Sequence, residues 1–202
     1  MNNIIKELKS ITYDRQALED FYHTVKHKAK PYIEVHSDLA KDSPYSRCIC
    51  PKCLEKRKHK HTGDTHKHIR RLDRYKHPEI DRLSKILEPF TQIEYSNHPV
   101  LWIYEPGFEL PPHKDDTREH SIIVPILPAE GGATVDIYKD DLPIVEGKVE
   151  HNEDFILNTH VYSTEHPTVL NASEVIHGVR NPTTQRVFIN FSTYCKWDDL
   201  NF

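Results

Sequence analysis

Three side chains far apart in this 202-residue chain could hold one metal ion. They are His113 and Asp115, in the run Pro111-Pro112-His113-Lys114-Asp115, and His177 far downstream. Two imidazoles and one carboxylate grip a divalent metal from one face and leave its other positions open, an arrangement suited to iron(II). A lone His-x-Asp carries little weight in a chain with 15 histidines. Taken singly, each histidine reads as readily as a hydrogen-bonding residue at a core edge, and His113 with Asp115 as an ion pair in a turn after two prolines. Arg186 changes the balance. It follows His177 by nine residues and opens the run Arg186-Val187-Phe188-Ile189-Asn190-Phe191-Ser192-Thr193. A guanidinium beside such a centre is the natural fork for a buried carboxylate; the alternative is a strand-end arginine paired with a surface acid.

These residues need strands to position them. From about residue 92 the chain breaks into short runs rich in β-branched and aromatic residues, separated by Pro, Gly, Asn and Asp. Strands are expected at Gln92–Tyr95, Val100–Glu105, Ser121–Leu127, Ala133–Lys139, Glu153–Leu157, Pro167–Asn171, Val175–Val179 and Gln185–Thr193. That many short strands at such spacing imply a sandwich or barrel. On a strand, residues i and i+2 share a face, which lets His113 and Asp115 approach one ion from one edge. The turn Asn181-Pro182-Thr183-Thr184 is expected to join the last two strands as a hairpin, carrying Arg186 deeper into the cavity of His177. The first ninety residues read instead as helical: Ile4, Ile5, Leu8 and Ile11 recur at helical spacing, as do Ile80, Leu83, Ile86 and Leu87 after Pro78. A proline in the first helical turn is a start signal, because its missing N–H is not needed there.

Between these regimes the stretch 47–76 carries eleven lysines and arginines against three carboxylates, a net +8 in a chain whose total is −4. Cys48, Cys50 and Cys53 lie within it beside His59, His61, His66 and His68. The spacing leaves two readings open: a zinc-stapled insertion spanning 48–68, or a solvated basic loop. In either case the charge would suit an acidic partner or a phosphate backbone. Elsewhere the balance is acidic, and the pI near 6.4 gives no general attraction to nucleic acid or anionic membrane. Charges interrupt the amino terminus, and no run reaches the roughly 20 apolar residues of a membrane span. The four cysteines, three of them within 48–53, read as a metal-site or free-thiol pattern and not as a disulfide framework. A cytoplasmic protein of one domain, 1–202, is expected. Its helical part would be 1–91 with the basic insertion at 47–76, and its β core 92–195.

Several stretches together give a resemblance. Tyr104-Glu105-Pro106-Gly107-Phe108 leads into Pro112-His113-Lys114-Asp115, followed by Glu130-Gly131-Gly132-Ala133-Thr134-Val135, His177-Gly178-Val179 and Arg186. Over about 92–195 the chain resembles the 2-oxoglutarate- and iron(II)-dependent dioxygenases, nearest the prolyl 4-hydroxylase-like branch. The resemblance implies a mainly β fold, a double-stranded β-helix of jelly-roll or cupin type, with amino-terminal helices packed on it. It implies Fe(II) held by His113, Asp115 and His177, with 2-oxoglutarate and O2 as cosubstrates. Arg186 would grip the distal carboxylate of 2-oxoglutarate, with the Tyr104 hydroxyl as second donor. Many prolyl hydroxylases have Lys where this chain has Arg186, which puts the prolyl substrate in doubt more than the cosubstrate.

The expectation is a dioxygenase, a hydroxylase releasing succinate and CO2, with no catalytic side chain beyond the metal ligands. Its substrate class stays open among protein side chains, nucleic acid bases and small molecules. Two other readings remain: a noncatalytic zinc- and nucleic-acid-binding module on a vestigial barrel, and a metal-dependent cupin that does not use 2-oxoglutarate. Arg186 weighs against the second of these and the intact His-Asp-His set against the first.

Overall fold

The computed structural model describes residues 4–31, 68–91, 99–113, 115, 120–127, 133–140, 144–145, 148–149, 152–181, 184–193 and 197. Thirteen strands and two α-helices form among them. A seven-stranded antiparallel sheet has the order β1 (Ile5–Glu7), β11 (Thr168–Leu170), β6 (His120–Leu127), β13 (Arg186–Thr193), β4 (Val100–Tyr104), β3 (Ile69–Leu72), β2 (Lys30–Pro31). A four-stranded sheet has the order β10 (Ile156–Val161), β7 (Thr134–Tyr138), β12 (His177–Arg180), β5 (Glu109–His113). A small hairpin pairs β8 (Ile144–Val145) with β9 (Lys148–Val149). From β4 to β7 the chain changes sheet at each strand, and from β10 to β13 it does so again. That winding is a double-stranded β-helix, a jelly roll.

The larger sheet is buried on both faces, so its strands read as continuous apolar runs instead of alternating ones. Along β13, Val187, Ile189 and Phe191 face the helices while Phe188 faces the space between the sheets. On β6, Ile122, Val124 and Ile126 belong to the helix side and Ile123 to the inner side. Helix α1 (Arg15–Val25) begins at Asp14, whose carboxylate accepts from the Ala17 N–H at 2.9 Å, and buries Leu18, Phe21 and Tyr22. Helix α2 (Pro78–Thr91) begins at Pro78, with Glu79 and Asp81 in its first turn where the helix dipole favours carboxylates. It buries Ile80, Leu83 and Leu87, whereas Ile86, which shares their helical spacing, is 37% exposed.

Four expectations need correcting. Ile4, Ile5, Leu8 and Ile11 do not start a helix. Ile5–Glu7 pairs antiparallel with β11, and the Leu8 N–H donates to the Pro167 carbonyl at 2.8 Å. A short apolar run is compatible with either period, and here the free edge of β11 decides it. The strand expected at Glu153–Leu157 opens as a 3₁₀ turn over Glu153–Phe155, because the Asn152 side chain accepts from the Asp154 N–H; the strand follows at β10. β12 and β13 are not a hairpin: β12 pairs with β5 and β7, β13 with β4 and β6. Asn181 makes this crossing, its backbone N–H donating to the Phe108 carbonyl and its amide to those of Glu105 and Thr184.

The fourth correction concerns the basic stretch. Its last part is sheet, not loop: β3 lies between β2 and β4, with Arg70 paired to Glu105 and Arg71 to Asp73. Residues 47–67, with Cys48, Cys50, Cys53, His59, His61 and His66, fall outside the described residues, as does the strand expected at Gln92–Tyr95. The zinc expectation therefore falls outside them too, His68 excepted. Among the described residues no helix is long and apolar enough to cross a membrane.

Candidate metal centre

His113 and His177 meet across the antiparallel pair β5–β12, where they are direct register partners. Two residues further along β12, Val179 is opposite Leu110, three residues back on β5. The extra residue on β5 is a β-bulge at Pro111-Pro112, and it sets His113 on the same face as His177. Prolines are tolerated there because β5 is the edge of its sheet and, among the described residues, pairs only with β12. Glu109–His113 is not among the strands expected from the sequence. The imidazole centroids lie 4.4 Å apart and the rings are tilted by 49°.

Asp115 is placed differently from the i, i+2 expectation. β5 ends at His113, and Asp115 is anchored beyond it by its own N–H, which donates to the Ala172 carbonyl at 3.0 Å. Its Oδ1 lies 3.6 Å from His113 Nε2. One ligand atom from each of His113, Asp115 and His177 falls within 4.8 Å of the others. His177 is buried, while His113 and Asp115 are partly exposed. His177 Nδ1 lies 3.2 Å from the Val175 carbonyl. A proton on Nδ1 would make that contact a hydrogen bond and turn Nε2 to a metal, the outer contact that orients most ligating histidines. The donor set, two nitrogens and one carboxylate with open positions, fits iron(II).

Gly178, next to His177, is required by close approach. A Cβ there would sit 3.0 Å from the Leu110 carbonyl oxygen and 3.3 Å from Tyr138 Cε2. The first neighbour is the backbone of β5, the strand that ends at His113, and it would have to shift by a few tenths of an ångström. Gly178→Ala is therefore expected to destabilise the fold by about 1–3 kcal/mol, the usual overpacking range, and to weaken divalent metal binding as well. Denaturant unfolding and Mn(II) titration check the two effects separately.

Arg186 opens β13 as the register partner of Tyr104, which in turn is opposite Ile69. Tyr104 and Ile69 belong to the cluster between the sheets, together with Val179 beside the histidines. The Arg186 guanidinium lies 4.1 Å from the Tyr162 ring centroid and 4.5 Å from that of Phe188. Burial lowers its pKa; the Tyr162 and Tyr104 hydroxyls, and a hydrogen bond with Tyr162, act in the opposite direction. Among the described residues no carboxylate pairs with it, and it is 3% exposed. Tyr104 packs edge-on against Phe108 and Phe188. Sequence reasoning missed Tyr162, the tyrosine that hydrogen-bonds Arg186. It lies just past β10, its N–H donating to the Ala133 carbonyl at 2.9 Å, and no motif marks it. On the same inner face of the larger sheet, the Asn190 amide donates to Ser121 Oγ.

The fold and site together define a double-stranded β-helix carrying a two-histidine, one-carboxylate centre and a buried arginine. No family model and no curated protein sequence matches the chain. Solved structures similar to it include a Pseudomonas putida prolyl-4-hydroxylase, at 15% identity and a TM-score of 0.41 over 63% of this chain and 71% of that one. Another is HygX from Streptomyces hygroscopicus with nickel, 2-oxoglutarate and hygromycin B bound, at 13% identity and a TM-score of 0.44, covering 64% and 71%. A third is the viral collagen prolyl hydroxylase of Paramecium Bursaria Chlorella virus-1 in its 2OG complex, at 14% identity and a TM-score of 0.39, covering 66% and 83%.

Proposed function

We propose that the protein is an Fe(II)- and 2-oxoglutarate-dependent dioxygenase that hydroxylates its substrate. The observation that carries this reading is Arg186: a guanidinium buried between the sheets with no carboxylate partner among the described residues. A buried charge is costly unless paired. A dicarboxylate cosubstrate, with one end toward the metal centre and the other toward Arg186, supplies the missing charge. A cupin that binds metal but no 2-oxoglutarate has no need of such a residue.

His113, Asp115 and His177 would hold the iron, His177 kept in one tautomer by the Val175 carbonyl. Bound there with 2-oxoglutarate, iron(II) would supply activation of O2 for a hydroxylation whose coproducts are succinate and CO2. Arg186 would donate two parallel hydrogen bonds to the distal carboxylate. Tyr162 and Tyr104 would orient it, the first through the hydrogen bond it makes with the guanidinium. Phe108, Val135, Ile137 and Phe188 line the inner cluster with apolar surface that excludes water from the reacting groups. The substrate class is one of protein side chains, bases or small molecules, and loops at the mouth of the barrel would choose among them.

The test is succinate formation. Purified protein with Fe(II), 2-oxoglutarate and O2 is expected to release succinate slowly without a prime substrate, and to release none when either iron or O2 is withheld. No succinate, together with no 2-oxoglutarate binding by the metal-loaded protein, would overturn the reading.

A further inference from the structure

We infer that the amino-terminal helical layer sets cosubstrate affinity, through a side-chain clamp on the reverse face of the sheet that carries Arg186. This rests on the function proposed above. Arg186 is the first residue of β13 and Tyr104 the last of β4, and their register pair is the final rung of that ladder. Strand ends fray, so a guanidinium mounted on the last rung needs another restraint to keep a fixed position. The residues just past the rung provide it. Gln185 Nε2 donates to Glu105 Oε2 at 2.9 Å, extending the β4–β13 pairing by one side-chain rung. Arg70 of β3 reaches diagonally to the same carboxylate, donating from Nε at 3.0 Å and from a terminal nitrogen at 2.7 Å to Oε1. Tyr22 of α1 donates its hydroxyl to Gln185 Oε1 at 2.5 Å. The backbone is tied as well: the Glu105 N–H donates to the His68 carbonyl, and the Asn181 amide donates to the Glu105 carbonyl.

The side chains of Tyr22, Arg70, Glu105 and Gln185 thus converge behind one rung, whose inner face carries Arg186 and Tyr104. Glu105 and Gln185 touch no cosubstrate in this arrangement; they are positioning residues. Arg70 and Glu105 are partly exposed, and pairs of that kind add little to folding. Their contribution is to geometry, and it falls on the distal carboxylate of the cosubstrate. The metal ligands sit on β5, β12 and the segment after β5, held by other contacts.

The experiment measures 2-oxoglutarate and Mn(II) affinities of the full chain by calorimetry. Q185E sets a carboxylate against the Glu105 carboxylate at unchanged shape. It is expected to weaken 2-oxoglutarate binding by about tenfold, the loss of a hydrogen bond plus a like-charge contact, and to leave Mn(II) binding unchanged. General loosening of the fold would weaken both. Combining it with E105Q restores one amide facing one carboxylate and one acceptor for Arg70, and is expected to return the affinity to within about twofold of the parent. Y22F removes only the helix contact, and with packing preserved it is expected to show a smaller loss of the same kind. Wild-type 2-oxoglutarate affinity in either Q185E or Y22F, or failure of the exchanged pair to recover it, would overturn the clamp. R186A measured alongside separates the two ideas. If R186A loses 2-oxoglutarate and Q185E does not, the clamp alone fails. If R186A binds it normally, the proposed cosubstrate reading fails.

Discussion

His113→Ala, Asp115→Ala and His177→Ala are each expected to abolish turnover and to lower divalent metal affinity by more than about 100-fold. The magnitude follows from the small number of donors. Among the described residues the centre gathers three protein ligand atoms within 4.8 Å of one another. Removing even an outer hydrogen-bond partner of a ligating histidine typically costs about 10–100-fold in affinity or activity, so removing a ligand should exceed that. The fold should survive. His113 lies at the end of an edge strand and Asp115 beyond it, both partly exposed, so truncating either leaves little buried void. His177 is buried, and its removal should show a stability loss in addition to the lost metal. The open positions also predict exchange: Mn(II) and Ni(II) should compete with Fe(II) for the same site and block turnover. Calorimetric titration with Mn(II) and unfolding curves of the three variants separate ligation from folding. A variant that keeps most of its turnover removes that residue from the ligand set and dissolves the three-donor assignment.

What could be read in the sequence, and what could not, divides along the range of the interactions. The chemistry-bearing residues stood out because their types are restrictive: few arrangements use His, Asp, His and Arg in that order among short β runs. Helix α2 was legible from Pro78 and the spacing of Ile80, Leu83 and Leu87, which are local signals. β6 and β13 were legible because strands buried on both faces are long apolar runs. The errors lie where a distant partner decides. Ile5 is in a strand because Leu170 is opposite it, 165 residues on. β5 exists despite Pro111-Pro112 because an edge strand needs ladder bonds on one side only. The turn at residues 181–184 looks like a hairpin until Asn181, bonded to Phe108, Glu105 and Thr184, carries the chain to the other sheet. Tyr162 reaches Arg186 from the end of β10, a neighbourhood that no local pattern in the sequence encodes.

Arg186→Ala is expected to weaken 2-oxoglutarate binding by about 2–5 kcal/mol, the range for removing one partner of a buried, hydrogen-bonded charge pair. Arg186→Lys should lose less, because one charge persists while the two-pronged geometry is gone. Tyr104→Phe and Tyr162→Phe should each cost only about 0.5–1.5 kcal/mol, the net worth of a single hydrogen bond. The effect on stability should run the other way. Without cosubstrate the wild-type guanidinium is desolvated against Tyr162 and Phe188 with no carboxylate among the described residues, and burial already weakens its hold on its proton. Replacing it with an apolar residue of similar length, Arg186→Met, should therefore leave the free protein as stable as the parent, or more so. Adding 2-oxoglutarate to the Mn(II)-loaded proteins then reverses the ranking. At 100 times its Kd the ligand should stabilise wild type by about 2.7 kcal/mol and leave Arg186→Met nearly unmoved. Thermal unfolding with and without cosubstrate reads both quantities in one series. If Arg186→Ala keeps the wild-type affinity for 2-oxoglutarate, the buried guanidinium has another purpose, whatever the metal centre does.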